Sequence, residues 1–303
     1  MNALHMIFCR LRKRNLTVLF LGLLLYTTTK VYACDVNTYM AMIKAEQAKL
    51  KKAPERPSSN EIIIGFNQST KYLVQDMIMV FEKQHPQFSA YPQLLNPNDT
   101  DTQSQDKEKL ISAIDVFILP EATENTKYTQ THSKWSLSIA QDEIILIFGG
   151  SGKHKYAMKD LSWQHIMKDK TYKKVTIKNE KNLLQNYIAA GFENLADDNL
   201  KPTILPVIAD TEQEIIKTIV HGNADYALIY KSMATKFAML TKTLPRHMNQ
   251  HNKIAYYLSI NEKTQSPKGS SLFAETVLSK KGYYKLKVTG FKPIPGGNIH
   301  FNN

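Results

Sequence analysis

Cysteine is almost missing from this chain. Of its 303 residues only Cys9 and Cys34 are cysteines, and none follows Cys34. No internal disulfide can therefore staple the body of the protein. Glycine and proline are scarce as well, at 12 each, which excludes collagen-like and low-complexity classes. There is no internal repeat. No arginine-rich run interleaved with aromatics occurs, so nucleic acid is not an expected partner. The longest apolar run, Leu16–Tyr26, is too short to serve as a permanent membrane span.

What is present is an ordinary globular composition, 43% hydrophobic and 22% charged. That is enough to build one two-lobed domain or two small ones. The first 33 residues stand apart. Arg10, Arg12, Lys13 and Arg14 form a positive segment ahead of the apolar run. Val31-Tyr32-Ala33 places small residues at the two positions that a signal peptidase reads. Residues 1–33 are thus expected to be a signal peptide, with the mature chain beginning near Cys34. Removing its five basic residues lowers the net charge from +12 to +7, a surface that still favours encounter with small anions. Two processing outcomes stay open: a lipid anchor on Cys34, or a free protein cut at an ordinary site. Either places the body in the periplasm or on the outer face of the inner membrane.

Residues 34–60 read as an N-terminal helix, over 36–52, and a linker from Ala53 to Asn60. The helix is compatible with a spacer and with an extra element packed on the body. From Glu61 strands and helices alternate. Ile62–Ile64, Val116–Leu119, Ile144–Phe148, Val175–Ile177 and Tyr226–Tyr230 are continuous apolar runs, as in strands buried on both faces. Leu73, Met77 and Phe81 follow at helical spacing, and further amphipathic helices are predicted over 105–113, 183–190 and 211–221. The alternation implies an α/β protein with mostly parallel sheets covered by helices.

Two helix starts carry a functional hint. Ser69 precedes the helix of Leu73. Thr211 precedes the helix of Ile215 and Ile219, with Glu214 three residues on as in a capping box and Gly222 as the stop. Both residues read as N-caps, or as marks of two helix N-termini that hold one anion in a cleft.

The segment Gly222–Ala234 (GNADYALIYKSMA) resembles the G-x-x-D-Y-x-x-I-Y-K-S-x-A stretch of the molybdate/tungstate-binding proteins of ABC transporters. Trp135 with Asp142–Leu146 (DEIIL) is similar to that family's W…N-E-[IL]-V-L crossing strand. Asp115–Ile118 is similar to its D-[IL]-[FL]-x strand, Ile62–Phe81 to its strand–serine–helix opening, and Gly290–Pro293 to its closing G-F-x-P. The resemblance spans Glu61 to about Pro293. It implies a two-lobed type II periplasmic-binding-protein fold, with lobe 1 over 61–142 plus 255–303 and lobe 2 over 143–254. It further implies a solute-binding component of an importer, not an enzyme. A monomer would hold a tetrahedral oxyanion between its lobes and deliver it to an ABC permease, with no cofactor and no metal. Ser69 matches the first-lobe serine and Tyr230 the second-lobe tyrosine, while Thr211 and Glu212 fall at a helix start that donates N–H groups.

The chain departs from the family in three places. The second serine loop reads NDTDTQS, where only Thr102 or Ser104 offers a hydroxyl. The family's P-x-G-[YI] turn is absent from 175–187. Asp101, Asp106 and Glu212 put negative charge near the implied anion site. The competing reading is an exported or anchored interaction module that binds another ligand or none.

Other chemistry is set aside. Gly149–Lys153 lacks the spacing of a phosphate loop, because His154 follows Lys153, and lacks the last glycine of a nucleophile elbow. It reads as a hinge loop. His247 and His251 sit four apart without a following glutamate and read as surface residues. Tyr226, Tyr256 and Tyr257 are expected to pack the sheet with their hydroxyls at its edge.

Overall fold

In a computed structural model of the protein, the described residues are 41, 58–95, 105–121, 131–149, 155–169, 171–177, 184–188, 207–244 and 253–301. The signal segment, Cys34 and all of 36–52 except the helical Ala41 lie outside them. The chain divides between residues 44 and 45, and the strands and helices from Glu61 onward belong to the second unit.

That unit opens as its sequence reads. Strand β1 (Glu61–Phe66) runs into a 3-10 turn (Gln68–Thr70) and helix α1 (Lys71–Gln84). Strand β2 (Ser89–Leu94), helix α2 (Gln105–Ser112) and strand β3 (Val116–Pro120) follow. The 14-residue strand β4 (Trp135–Phe148) is the axis of the fold. Short helices α3 (Lys155–Asp160) and α4 (Trp163–Lys168) lead to β5 (Val175–Ile177), β6 (Val207–Ala209) and α5 (Glu212–Val220). Then come β7 (Tyr226–Tyr230), α6 (Lys231–Lys236), β8 (Leu240–Thr243) and β9 (Lys253–Ile260). Helices α7 (Pro267–Leu278) and α8 (Lys280–Val288) and strand β10 (Lys292–Phe301) close the chain.

The strands lie in the order β10-β4-β9-β3-β1-β2, with β7 and β8 also on β4. β4 is shared by position. Its residues 135–143 pair with β9 and β10, and residues 144–148 pair with β7 and β8. Parallel pairing holds for β1 with β2 and β3, and for β5 with β6. The pairs of β4 with β7, β8, β9 and β10, and of β3 with β9, are antiparallel, so among the described residues the sheet is mixed and the expected predominance of parallel pairs is not seen.

Alternation along β1 explains its unbroken apolar run. Ile63 joins Leu95, Ile111, Ile114, Phe117 and Leu119 in one cluster. Its neighbour Ile62 points the other way, against Gly269 of α7, where a β-carbon would come within 2.6 Å of Ile62. The α1 stripe of Leu73, Met77 and Phe81 is fully buried, and Phe81 packs edge-on against Phe273 at 5.4 Å. Each such side chain contributes about 1.5–3 kcal/mol. Around β7, the Ile215, Ile216 and Ile219 face of α5 is buried in the same way, and the helix stops at Gly222 with φ +74°.

Asp115, the polar residue that opens β3, is a structural latch. It is buried and accepts hydrogen bonds from Ile63 N (2.8 Å), Thr264 Oγ1 (2.6 Å) and Gln265 N (3.0 Å). It thereby ties β1, β3 and the loop before α7 together.

Candidate functional site

The turn after β1 is organised by Asn67, not by Ser69. Asn67 Oδ1 accepts from Thr70 N at 3.2 Å and from Ser69 Oγ at 2.8 Å, and its own N–H donates to Thr70 Oγ1. Thr70 Oγ1 also donates to the Ile118 carbonyl, pinning the turn to β3. Ser69 is therefore a half-buried hydroxyl inside the turn, and the cap expected of it belongs to the residue two earlier. A side-chain amide oxygen with open geometry reaches the N–H of the third residue more easily than a serine already inside the turn.

Thr211 does cap α5, accepting from Glu214 N at 3.2 Å. The capping box is not closed as the sequence suggests. The Glu214 carboxylate passes over Thr211 and accepts from Asp210 N at 2.8 Å. One residue on, Gln213 Nε2 donates to the Tyr72 hydroxyl at 2.9 Å, so the first turns of α5 and α1 meet. Asp76 of α1 forms a second tie. It lies 3.2 Å from Lys285 of α8 and 3.9 Å from Lys236 of α6, as ion pairs without ordinary hydrogen-bond geometry.

Among the described residues, three of the buried oxygen atoms without a hydrogen-bond partner belong to this region: the hydroxyls of Tyr230 and Tyr256, and Asp142 Oδ2. Tyr230 ends β7 and begins α6. Burial drives its phenol well above its ordinary range, and Tyr256, Glu212, Tyr187 and Asp142 add to the shift. Tyr256 of β9 is fully buried, contrary to the expected edge position, with Phe291 edge-on at 5.5 Å. Its phenol is raised by burial and then by Asp142, while Ser69 acts in the opposite sense. Ser69 is thus close to Tyr256, although no hydrogen bond of ordinary geometry joins the two hydroxyls. A serine hydroxyl rotates freely enough to serve either Asn67 or Tyr256.

Asp142 marks the point where β4 changes partners. Its Oδ1 accepts from Glu143 N (2.8 Å) and Ser232 N (3.3 Å), in the first turn of α6. Burial pushes its carboxyl up to about 6, opposed by Ser232. Glu143 beside it is bonded to Lys231.

Of the residues expected in the site, the structure brings Ser69, Glu212 and Tyr230 into one neighbourhood around Tyr256, with Thr211 at the helix start beside Glu212. Thr102, Ser104, Asp101 and Cys34 lie outside the described residues, as do the Asp106 side chain, His247, His251 and 150–154. Asp142 and Tyr256 are the additions. Asp142 stands where the similar crossing-strand segment has N-E, a one-residue signal visible in the sequence. Tyr256 has none, because β9 is buried along most of its length and shows no alternation to read. Among the described residues, no three His, Cys, Asp or Glu side chains gather to hold a metal, and no helix is long and apolar enough to cross a membrane.

The arrangement offers phenol and serine donors at the starts of two helices, beside one carboxylate oxygen that only accepts when ionised. That chemistry suits an oxygen-rich ligand.

No protein-family model matches the sequence, and no curated protein matches it. Solved structures do. A chain from Clostridium difficile assigned as the substrate-binding domain of a molybdenum ABC transporter is similar over 77% of this chain and 99% of its own, with 15% identity and a TM-score of 0.57. The periplasmic molybdate-binding protein of Azotobacter vinelandii is similar over 76% and 98%, with 12% identity and a TM-score of 0.54. PEB3, known from Campylobacter jejuni, is similar in its L-phospholactate-bound form over 76% and 99%, with 10% identity and a TM-score of 0.56. At these identities the likeness speaks for architecture alone, and it establishes the two-lobed type II periplasmic-binding-protein fold.

Proposed function

We propose that this chain is the extracytoplasmic solute-binding component of an ABC importer and holds a tetrahedral oxyanion between its lobes. Lobe 1 is 61–142 plus 255–303 and lobe 2 is 143–254, divided where β4 changes partners. The observation that carries the reading is the pair of buried, unpartnered phenols, Tyr230 and Tyr256, beside Ser69. A buried donor without a partner costs about 1–3 kcal/mol, which a ligand oxygen restores. The phenols come from β7 and β9, and Glu212, whose charge acts on both, opens α5. Thr102 or Ser104 supplies the remaining first-lobe hydroxyl. The resemblance of the Gly222–Ala234 segment and the molybdate-binding structures among the neighbours support a tetrahedral oxyanion of the size and shape of molybdate or tungstate. In this reading the protein is a non-enzymatic monomer, exported by its signal peptide and tethered, if at all, through Cys34.

The test is a thermal shift of the full chain with molybdate, tungstate, sulfate, phosphate and nitrate. A ligand at a hundredfold excess over its Kd stabilises by about 2.7 kcal/mol, or several degrees for a protein of this size. A second reading, an exported interaction module of the same fold, is favoured by one observation: the Glu212 and Asp142 carboxylates act on the same phenols. Absence of a shift with every anion supports that reading and overturns the first.

A further inference from the structure

Two of the three unpartnered buried oxygens are hydroxyls that can donate. The third, Asp142 Oδ2, is a carboxylate oxygen that only accepts when ionised. Its sister atom Oδ1 accepts from the Glu143 and Ser232 N–H groups, which anchors the carboxylate through one oxygen while Oδ2 stays unmatched. Resting on the oxyanion reading above, we propose that Asp142 makes the site selective for an oxyanion that carries its own proton, of the hydrogenphosphate class, over fully ionised tetrahedral anions of similar shape.

The physical argument concerns one proton. Sulfate, molybdate and tungstate present only acceptors at neutral pH. Against an ionised Oδ2 they make a like-charge contact in a water-poor site, where such contacts are screened least. A proton on either partner turns that contact into a charge-assisted O–H···O bond, the strongest ordinary kind. Hydrogenphosphate brings the proton, and its P–O–H donates to Asp142 Oδ2 while its other oxygens accept from Tyr230, Tyr256 and Ser69. A fully ionised anion must instead draw a proton from solvent onto Asp142. Among the described residues, the titratable groups around Asp142 are Glu143 on its own strand, held by Lys231 of α6, Tyr230 on β7 and Tyr256 on β9, with Glu212 of α5 acting on the same phenols. None of these is a cation free to neutralise the contact. An asparagine in this position, as in the similar N-E segment, would keep the Oδ1 acceptor and present an amide donor where Oδ2 now stands.

The experiment is calorimetric titration of the full chain with inorganic phosphate, sulfate and molybdate at about pH 8, in buffers of different ionisation enthalpy. Phosphate is expected to bind about tenfold or more tightly than the other two, the worth of one hydrogen bond to a charged group. It should bind without net proton uptake, whereas sulfate or molybdate takes up about one proton. Asp142→Asn should invert the preference, with sulfate and molybdate gaining about tenfold and phosphate losing as much. Sulfate or molybdate binding as tightly as phosphate, or a preference unchanged by Asp142→Asn, overturns the inference. If the variant does not fold, equal proton counts for phosphate and molybdate in the unaltered chain overturn it. Heat from none of the anions removes the oxyanion reading itself, and the selectivity with it.

Discussion

Gln213 Nε2 donates to the hydroxyl of Tyr72 at 2.9 Å, across 141 residues of sequence. The bond joins the first turn of α5 to the first turn of α1, the two helix starts that flank Ser69 and Glu212. The Tyr72 ring is held independently, edge-on to Phe237 at 5.6 Å. Tyr72→Phe therefore deletes the cross-tie and keeps the packing. Its expected cost is about 1 kcal/mol, or ~2–4 °C in melting temperature, with a several-fold weaker oxyanion affinity because a closed cleft is held less firmly. A drop in stability with unchanged affinity would show that the tie is purely structural.

Asp142 gives stability a pH slope of unusual sign for an aspartate. Its folded-state carboxyl is raised to about 6 from an ordinary 3.8, mainly by burial. Between those values the folded chain keeps a proton that the unfolded chain has released. Its contribution to stability is present below about pH 4, is lost as pH rises through about 6, and is level above that. The size is on the order of 2–3 kcal/mol. Urea unfolding of the unaltered chain and of Asp142→Asn across that window checks it, since the variant should lack this part of the slope.

Asp115 makes the opposite case, a carboxylate whose partners are all supplied. Asp115→Ala leaves the buried Ile63 N–H without an acceptor and frees the loop carrying Thr264 and Gln265. About 3 kcal/mol or more of stability should go, read from a denaturation midpoint. Anion affinity, measured well below the new melting temperature, should stay within about twofold.

Gly290 is the conformational counterpart. It holds φ +94°, and a β-carbon there would come within 2.6 Å of Thr235 Oγ1 and 2.9 Å of Ser232 Cα. Gly290→Ala combines backbone strain with a push on α6, so a loss of about 2–4 kcal/mol is expected. Because α6 begins at Tyr230, anion affinity should fall as well. A variant as stable as the parent would mean that the close approach relaxes at no cost.

Much of this fold was legible because its central strands are buried on both faces. Ile62–Ile64, Val116–Leu119 and Tyr226–Tyr230 have no polar interruption, and each is a strand. β10 escaped notice because Pro293, Pro295, Gly296 and Gly297 break its pattern; the structure accommodates them where the register with β4 shifts between Pro293 and Asn298. Pro92 similarly obscured β2, which tolerates it as the last strand of the sheet. In the site, a strand–serine–helix order pointed to Ser69, but the turn's own hydrogen bonds chose Asn67 as the cap. Glu214 likewise found Asp210 where the spacing promised Thr211. Asp142 and Tyr256 depend on which strands are brought together over more than a hundred residues, and local periodicity carries no such information.

The sharpest test of the site separates ligand donors from structural ones by the sign of the stability change. Tyr230 and Tyr256 bury hydroxyls that have no hydrogen-bond partner of ordinary geometry among the described residues. Removing either oxygen as Tyr230→Phe or Tyr256→Phe should leave the ligand-free protein as stable or more so, by up to about 1–2 kcal/mol, because an unmet buried polar group disappears. The same changes should weaken anion binding by about tenfold or more, since each deletes a hydrogen bond to a charged ligand. Ser69→Ala should also cost about tenfold in affinity. It should in addition lower stability by about 1 kcal/mol, because Ser69 Oγ donates to Asn67 in the turn. Thr211→Ala is the control. Its hydroxyl caps Glu214 N, so it should lose about 1 kcal/mol of stability with little change in affinity, the helix N–H groups being still in place. Melting curves with and without anion, run on all four variants, give both readings at once. If the two phenylalanine variants melt lower without ligand and bind anion as before, these phenols are structural and the oxyanion is held elsewhere or not at all.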